Sequence, residues 1–427
     1  MPIVVFVTSG YEQIDAQKSR DMESVVITGM GAVSCLGHEL PAIAQALSEG
    51  ASGIVRDSER ESLGFRSNLT GRIRDFDPSN YLERKERRAM GEPALFAAVA
   101  ALRALDDARL PRSELARPEV GVILGNDSAS EATRFAVDET RAARSTRTLG
   151  SGAVVQAMTS SPSINLAVLL GTQGAAWTVA GACAAGAHAI GQALGLLRSG
   201  QQDVVLAGGT QELNWAGSCA FDGLGAFSTW AGEPAAASRP FARDRDGLVP
   251  SGGAAVLVLE RRSHAERRGA RIRADLTSYA FSSDGRHVTT PDGNGAARCM
   301  RRALELARLG PSEIEYLNAH ATGTPLGDAA EARALREVFA QRSPPISSTK
   351  GMTGHECWMA GAAEVVYSLL MMEHGFLAAN KNLGDPDPEC EALDLVRSTR
   401  ATRPRKILSN SFGFGGTNAC LVLSALD

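Results

Sequence analysis

The sequence predicts an α/β protein built from two similar halves. Short apolar strands alternate with helical stretches along most of the 427 residues, which is the pattern of βαβ units and largely parallel sheets. An internal similarity supports the two halves: the runs GACAAGA and GHECWMAGA each begin a small-residue helix after a short strand. The same position in each half would then carry a reactive side chain, Cys183 in the first and His355 in the second.

The composition excludes several classes of protein. The chain is 44% hydrophobic and 22% charged, which is typical of a globular chain in water. Its formal net charge of −4 gives no support for a nucleic-acid binder, and its apolar runs are too short and broken for a transmembrane helix. The seven cysteines contain no CxxC pair and are odd in number, which argues against disulfides or a zinc site. We therefore expect a reducing, cytoplasmic location.

The first half of the chain begins with a short extension. Its apolar stretch is too short for a signal peptide and lacks the basic region of one. Residues 11–24 are polar and charged, so residues 1–24 are interpreted as a weakly ordered extension. The buried strand VVITGMG starts at Val25, and its glycine turn lacks the third glycine of a dinucleotide fingerprint. Residues 56–80 are predicted to be irregular, and the arginine-rich residues 126–150 to be a surface loop or lid. Further strands are predicted at 120–125, 177–180, 203–209 and 254–259, and helices at 40–49, 91–105, 164–170 and 182–197.

A second series of elements follows after residue 260. Strands are predicted at 272–281, 314–318, 346–348, 405–409 and 419–424, and helices at 295–308, 328–340 and 360–372. We therefore expect an N-terminal half at 25–260 and a C-terminal half at 261–427.

Cys183 is the first candidate for chemistry. Gly181 allows a tight turn after a short strand, and the helical spacing that follows places Cys183 at or just before a helix N-terminus. Backbone N–H groups and the positive end of the helix dipole there favour a thiolate. A buried core cysteine is the commoner alternative for a lone thiol among small residues, so the assignment depends on the rest of the sequence.

Three further segments place polar groups at predicted strand ends, where α/β folds carry functional residues. His320 lies in the hydroxyl-rich run NAHATGTPLGD, and Lys350 and His355 lie in STKGMTGH. Phe412 and Phe414 belong to the glycine-rich run NSFGFGGTN. Taken singly, a loop histidine is more often a surface or core residue, and the glycine-rich run is also compatible with a tight turn before a buried strand.

These motifs, in this order, resemble those of the elongating β-ketoacyl-[acyl-carrier-protein] synthases, the condensing enzymes of fatty acid synthesis. The resemblance runs from about Val25 to the C-terminus and includes VITGMG, ACAAG, AHATGTPLGD, STKGMTGH and GFGGTN. It implies the thiolase fold, with two similar halves, each a five-stranded mixed sheet, in a five-layered αβαβα arrangement. It also implies a homodimer whose partner is an acyl carrier protein, and a reaction that requires no metal or organic cofactor.

The resemblance also implies a role for each candidate residue in a decarboxylative Claisen condensation. Cys183 takes the acyl chain as a thioester, and His320 and His355 act on the malonyl unit, with Lys350 beside them. Two histidines can donate hydrogen bonds to the developing enolate oxygen. Glu331, eleven residues beyond the first histidine, is a supporting residue in this resemblance. Phe414, with Phe412 near it, is a gating residue whose backbone N–H joins that of Cys183 in an oxyanion hole. Thr322 and Thr324 hold the pantetheine arm.

A basic segment of this slightly acidic chain is the candidate carrier-docking site. Arg84, Lys85 and Arg88 match basic positions that relatives use for carrier contact, and Arg87 lies among them. The alternative is a solvated helix face.

Departures from the family pattern affect the expected chain length. His355 is followed by Glu-Cys-Trp-Met where many relatives have Ser-Leu-Gly-Ala, so Trp358 and Met359 add bulk near the site. The run that begins at Gly125 also replaces a more glycine-rich loop beside the acyl pocket.

Three alternative functions share part of this pattern. The first is the same condensation in a dissociated polyketide or polyene pathway. The second is a thiolase, which Phe414 disfavours because a second cysteine is expected at that position. The third is a non-catalytic partner subunit, which the presence of Cys183 disfavours.

Overall fold

The computed structural model describes residues 23–426. The predicted extension at 1–24 therefore lies outside the described residues, except for its last two positions. Glu23 ties this end to the body of the protein, because its carboxylate accepts a hydrogen bond from the Ser263 N–H at 2.9 Å and pairs with Arg261 at 3.3 Å. Within the described range, no helix combines the length and the apolar character needed to cross a membrane.

The ten predicted strands are all present, with bounds that differ by a few residues, and three short strands near residues 54, 69 and 394 were not predicted. The strands are β1 (Val25–Val33), β2 (Ile54–Arg56), β3 (Leu69–Gly71), β4 (Val120–Gly125), β5 (Ala176–Val179), β6 (Val204–Gln211), β7 (Gly253–Arg261), β8 (Ala274–Ser283), β9 (Tyr316–Asn318), β10 (Pro345–Ser347), β11 (Asp394–Leu395), β12 (Lys406–Gly413) and β13 (Thr417–Ser424).

The helices follow the predicted amphipathic and small-residue stretches, with several short additions. They are α1 (Leu40–Glu49), α2 (Ser58–Ser62), α3 (Arg84–Arg87), α4 (Glu92–Ala108), α5 (Ser130–Ala143), α6 (Ala153–Gln156), α7 (Ser161–Leu170), α8 (Ala185–Arg198), α9 (Cys219–Leu224), α10 (Arg262–Arg267), α11 (Asn294–Ala307), α12 (Pro325–Val338), α13 (Lys350–Thr353) and α14 (Ala360–His374).

One sheet of eleven strands, in the order β11-β10-β9-β12-β13-β8-β1-β7-β6-β4-β5, contains the same arrangement twice. In the first half β4 runs parallel to β5 and β6, and β7 runs antiparallel to β6 and β1. In the second half β9 runs parallel to β10 and β12, and β13 runs antiparallel to β12 and β8. The two arrays meet at β1 and β8, which pair over two residues each.

The expectation of largely parallel sheets is wrong, because each array ends in antiparallel neighbours. The reason is clearest at β12 and β13, which are joined only by the turn Phe414–Gly416. A connection this short can join antiparallel strands but not parallel ones.

Helices lie between and outside the two arrays and complete five layers. The central helices α8 and α14 contact each other and strands of both arrays. Helices α4 and α7 pack on the first array, and α11 and α12 form the outer layer on the second. The αβαβα arrangement expected from the resemblance is therefore confirmed. The central helices are the ones that follow β5 and β10, so the candidate turns of both halves lie near the middle of the molecule.

Two segments that lack apolar periodicity differ from the prediction. The predicted loop at 126–150 contains α5, whose first N–H groups, those of Ser130 and Glu131, are capped by the distant carboxylate of Glu212 at 2.8 and 3.2 Å. Ion pairs within the helix add to this. Residues 56–80 include β3, which forms a hairpin with β2. The helix α5 thus depends on a partner distant in sequence, whereas β3 depends on the neighbouring strand β2.

Candidate active site

Cys183 lies in the 3₁₀ turn Ala182–Ala184, which leads from β5 into α8. Ala182 has a φ of 46°, a left-handed conformation that costs a residue with a side chain about 1–3 kcal/mol. The Ala182 N–H donates to Asp127 Oδ2 at 2.9 Å, which helps to hold this conformation. A Cβ added to Gly413 would lie 3.2 Å from the Cys183 nitrogen, so the glycine-rich run approaches the turn closely.

The equivalent turn of the second half, Cys357–Met359, leads into α14. Its first residue, Cys357, has a φ of 45°, which matches Ala182. The backbone therefore places Trp358, and not His355, at the position equivalent to Cys183. The predicted equivalence of Cys183 and His355 is wrong. It was based on matching the glycines of the two sequence runs, and these glycines do not occupy equivalent positions in the backbone.

The thiol and the two candidate histidines converge at one point. One ligand atom from each of Cys183, His320 and His355 lies within 4.8 Å of the other two. The two imidazole rings meet edge to face, with their centroids 5.2 Å apart. His320 lies two residues after the end of β9, whereas His355 lies two residues after the end of α13, the short helix that follows β10. The structure thus brings together three residues that are far apart in the sequence.

Burial determines the protonation of both histidines. The pKa values of His320 and His355 lie well below the usual imidazole value, because burial disfavours the cation and the Lys350 ammonium repels it. Both rings are therefore neutral at neutral pH. A neutral imidazole has one nitrogen that donates a hydrogen bond and one that accepts it.

The protonation of Cys183 differs from the expected thiolate. Burial raises the pKa of the thiol to about 12. The Lys350 charge and the backbone N–H groups of Cys183 and Phe414 lower this pKa, but they do not outweigh the loss of solvent. The thiol is therefore protonated at rest, and it can act as a nucleophile only if a neighbouring group accepts its proton.

Three imidazole nitrogens of the site lack hydrogen-bond partners in the described part of the chain. Nδ1 of His320 and both ring nitrogens of His355 are buried and have no hydrogen-bond partner within residues 23–426. A buried polar atom without a partner costs about 1–3 kcal/mol. A bound polar group that fills the space beside these atoms would recover this energy.

Lys350 acts on the histidines from a buried ion pair. Its Nζ contacts the Glu364 carboxylate, and both side chains are almost completely enclosed. Burial raises the pKa of Glu364 to about 7, against the lowering influence of the neighbouring ammonium. Sequence reasoning missed Glu364, although it is the only charged residue in the otherwise apolar run AGAAEVVYSLLMM. That isolation was the available signal.

Glu331 holds the loop that carries His320. Its carboxylate accepts hydrogen bonds from the N–H groups of His320 and Ala321 at 3.0 and 2.7 Å, and from Asn410 Nδ2 at 3.1 Å. It reaches His320 through the backbone and not through the ring. The geometry therefore makes Glu331 a positioning residue.

A second carboxylate, which sequence reasoning missed, holds the next part of the same loop. Asp328 Oδ1 accepts from the N–H groups of Thr322 at 2.9 Å and Gly323 at 3.1 Å. The Thr322 and Thr324 hydroxyls lie 3.0 Å apart beside it. The two hydroxyls are thereby presented side by side to a ligand.

Most of these groups line one cavity of about 390 Å³, whereas Lys350, Glu364 and Asn410 lie outside its walls. Phe412 lies against His320, with a centroid distance of 6.0 Å. Phe414 is 36% exposed and stacks on Phe221 at 5.9 Å. The cavity walls include the thiol, both histidines, both threonines, Glu331 and the two glycine-loop phenylalanines.

The turn after β12 directs a second backbone N–H toward the thiol. Gly415 and Gly416 have φ values of 77° and 70°, which residues with side chains rarely adopt. This turn places the Phe414 N–H, together with that of Cys183, where both stabilise charge on the sulfur. Two such donors can also bind an oxygen that becomes anionic on an acyl group attached to Cys183.

The basic segment forms a separate exposed surface. Arg84, Lys85 and Arg88 lie on and just after α3 with exposed side chains, whereas Arg87 is half-buried. Lys85 pairs with Glu83 at 2.9 Å, and both are exposed. The three exposed cations thus remain accessible to a partner.

Comparisons with known proteins agree with this geometry. The model for the β-ketoacyl synthase N-terminal domain matches residues 22–265, and that for the C-terminal domain matches residues 273–384. The chain is 40% identical to 3-oxoacyl-[acyl-carrier-protein] synthase 1 of Escherichia coli K12 over 408 residues, which cover 95% of this chain and 100% of the relative.

Solved structures extend the similarity to the fold. A β-ketoacyl synthase from Burkholderia phymatum superposes with a TM-score of 0.90 at 36% identity, covering 95% of this chain and 100% of the other. A ketosynthase in complex with a type II PKS acyl-carrier protein and bound to the hexaketide superposes with a TM-score of 0.86 at 30% identity, over the same shares of the two chains.

Proposed function

The chain belongs to the β-ketoacyl synthase family, and we propose that it condenses an acyl group on Cys183 with malonyl-acyl carrier protein. The products are 3-oxoacyl-acyl carrier protein and CO₂, and the reaction serves fatty acid chain elongation. The convergence of a thiol and two neutral imidazoles within 4.8 Å in one cavity carries the proposal. As a test, purified protein given acyl and malonyl carrier proteins should form CO₂ and 3-oxoacyl product in equal amounts, and a lack of both would refute the function.

In the first half-reaction the Cys183 sulfur attacks the carbonyl carbon of the incoming thioester. The thiol proton passes to a neutral imidazole, since a pKa of about 12 leaves little thiolate beforehand. The carbonyl oxygen becomes anionic and accepts hydrogen bonds from the backbone N–H groups of Cys183 and Phe414. The tetrahedral intermediate then expels the carrier's thiolate, which takes the proton back.

In the second half-reaction the two histidines act on the malonyl thioester. The bond to the carboxylate breaks, CO₂ leaves, and the electron pair forms an enolate. Neutral His320 and His355 donate hydrogen bonds to the enolate oxygen from nitrogens that have no protein partner. The enolate carbon then attacks the acyl carbonyl carbon on Cys183, the bond from that carbon to the sulfur breaks, and the released thiolate takes up one proton from solvent. Lys350 makes the surroundings electropositive while the negative charge develops.

A second candidate function is the same condensation in a polyketide pathway. The similarity to the ketosynthase bound to a hexaketide favours it. The two functions differ in the acyl group that the enzyme accepts, because fatty acid elongation presents a fully reduced chain and polyketide synthesis presents one that retains oxygen or double bonds. A higher kcat/KM for saturated acyl carrier proteins than for 3-oxoacyl ones would support elongation.

The exposed cations of the basic segment are proposed to dock the carrier protein, which is acidic in the systems of this family. Reversing Lys85→Glu and Arg88→Glu should raise the KM for carrier-bound substrate about tenfold at low salt, because the reversal removes attractive charge and adds repulsion. Activity with a small acyl thioester that lacks the carrier should stay the same.

The matched control for this prediction reverses two exposed arginines on other surfaces, Arg112→Glu and Arg267→Glu. These changes should leave both KM values unaltered. Equal losses with carrier-bound and small thioesters in the Lys85 and Arg88 variant would show that the segment supports the fold instead.

A homodimer is proposed from the exposed edge of the first array. Among the described residues, β5 is the outermost strand of the sheet and pairs on one side only. Trp177 on this strand is 41% exposed, and Val168 of the neighbouring α7 is 83% exposed. An open strand edge beside exposed apolar side chains favours pairing with another chain. Light scattering at micromolar concentration should give twice the mass of one chain, and an active monomer would contradict the proposal.

A cytoplasmic location is proposed with it. The seven cysteines all lie within the described residues, and all are free thiols. Free thiols are typical of proteins in a reducing compartment.

A further inference from the structure

Cys183 has a second set of neighbours besides the polar groups of the cavity. The thiol forms an apolar cluster with Ala185, Cys357 and Trp358, and the Phe221 ring packs against it. Trp358 belongs to this cluster and not to the walls of the cavity that contains the histidines. The indole therefore occupies space beside the thiol that a substrate entering the cavity does not use.

The Trp358 ring is held from two sides. Its Nε1 donates a hydrogen bond to Ser128 Oγ at 3.1 Å, and its centroid lies 6.1 Å from that of Phe221. The residue is only 8% exposed. These contacts keep the indole beside the thiol.

The backbone of Trp358 is wedged between α8 and β6. A Cβ added to Gly186 or Gly209 would lie 3.0 or 2.7 Å from the Trp358 carbonyl oxygen. Because the main chain is packed this closely, space beside the thiol can open only by movement or truncation of the side chain.

The two half-reactions make this space important. The acyl group remains attached to the Cys183 sulfur while the malonyl thioester enters the cavity and reaches His320 and His355. The cavity of about 390 Å³ has to hold the malonyl unit and the end of its carrier arm. The acyl tail therefore needs room of its own, and the apolar cluster is where an alkyl chain would be most stable.

We propose that Trp358 is a specificity-determining residue that restricts condensation to short acyl chains on Cys183. This inference rests on the proposed condensation. A large aromatic side chain buries roughly 150–250 Å², so the indole takes the place of several methylene groups of a longer tail. A long chain can still load with its tail lying in the cavity, but it then blocks the malonyl thioester.

The test separates loading from condensation. Wild-type protein and the Trp358→Ala variant are loaded with acyl thioesters of two to twelve carbons, and malonyl-acyl carrier protein is then added. For the wild type we expect condensation to fall at least tenfold between the four-carbon and ten-carbon acyl groups. For Trp358→Ala we expect this fall to disappear, because the vacated volume accepts the tail.

Trp230→Ala is the matched control, since Trp230 packs in a different apolar cluster and under the Arg239 guanidinium. It should keep the wild-type chain-length profile. Trp358→Phe is a milder variant that keeps the site filled if the alanine variant does not fold, and its cut-off should shift to longer chains than that of the wild type.

Two results would overturn the inference. One is wild-type condensation of the ten-carbon group as fast as that of the four-carbon group. The other is an unchanged cut-off in the folded Trp358 variants. Either result leaves the proposed function intact as long as short acyl groups condense, whereas failure with every chain length would refute the condensation itself.

Discussion

Replacing Cys183 with alanine is expected to lower condensation at least about a thousandfold, because the acyl group then has no nucleophile to hold it. No acyl adduct should appear in the intact mass of the protein. Release of CO₂ from malonyl-acyl carrier protein should survive, since His320 and His355 remain in place. Measurements of both activities in parallel should therefore show that this variant loses acyl transfer and keeps CO₂ release.

The matched control is Cys219→Ala, which removes an exposed thiol. It should leave both half-reactions at the wild-type level. An acyl adduct that persists in Cys183→Ala and disappears in Cys219→Ala would show that Cys219, and not Cys183, is the nucleophile.

Replacing either His320 or His355 with alanine should have the opposite effect. Malonyl decarboxylation should fall about 100–1,000-fold, because one donor to the enolate oxygen is lost in a buried site. Acylation of Cys183 should remain measurable, since each variant keeps one neutral imidazole near the thiol to accept its proton. Single-turnover acyl loading and CO₂ release report the two effects separately.

The exposed His374 at the end of α14 provides the matched control. His374→Ala should decarboxylate malonyl-acyl carrier protein at the wild-type rate. If decarboxylation continues unchanged when both His320 and His355 are alanine, the roles assigned to these residues are wrong.

Most of the fold could be predicted because apolar periodicity reflects burial. The central helices α8 and α14 were expected from their small and apolar residues. Helix α5 was missed because its cap, Glu212, lies far away in the sequence. Long-range hydrogen bonds of this kind leave no local pattern.

The residues of the candidate site also fall into those that local sequence indicated and those that only contacts in space reveal. The segments carrying Cys183, His320 and His355 could be identified from strand ends and motifs. The buried partners Glu364 and Asp328 were missed, because a carboxylate reveals its role only through the groups it meets in space. The similar amino-acid sequences of the two turns also led to a wrong alignment of the two halves. The left-handed backbone conformation of the residues just before Cys183 and Trp358 gives the correct alignment.

The pKa of the Cys183 thiol was predicted to shift in the wrong direction for a related reason. The position of Cys183 at the start of a helical stretch was visible in the sequence, but its enclosure was not. Enclosure dominates its pKa.

The most direct test of the account follows a single acyl group through both half-reactions. Wild-type protein is loaded with a butyryl thioester, separated from excess reagent and analysed by peptide mass spectrometry. Malonyl-acyl carrier protein is then added. We expect butyryl on Cys183 alone, followed by its transfer to the carrier as a 3-oxohexanoyl group with release of one CO₂ for each acyl group consumed. Butyryl on another residue, or loss of butyryl as free acid without a 3-oxoacyl product, would contradict the account.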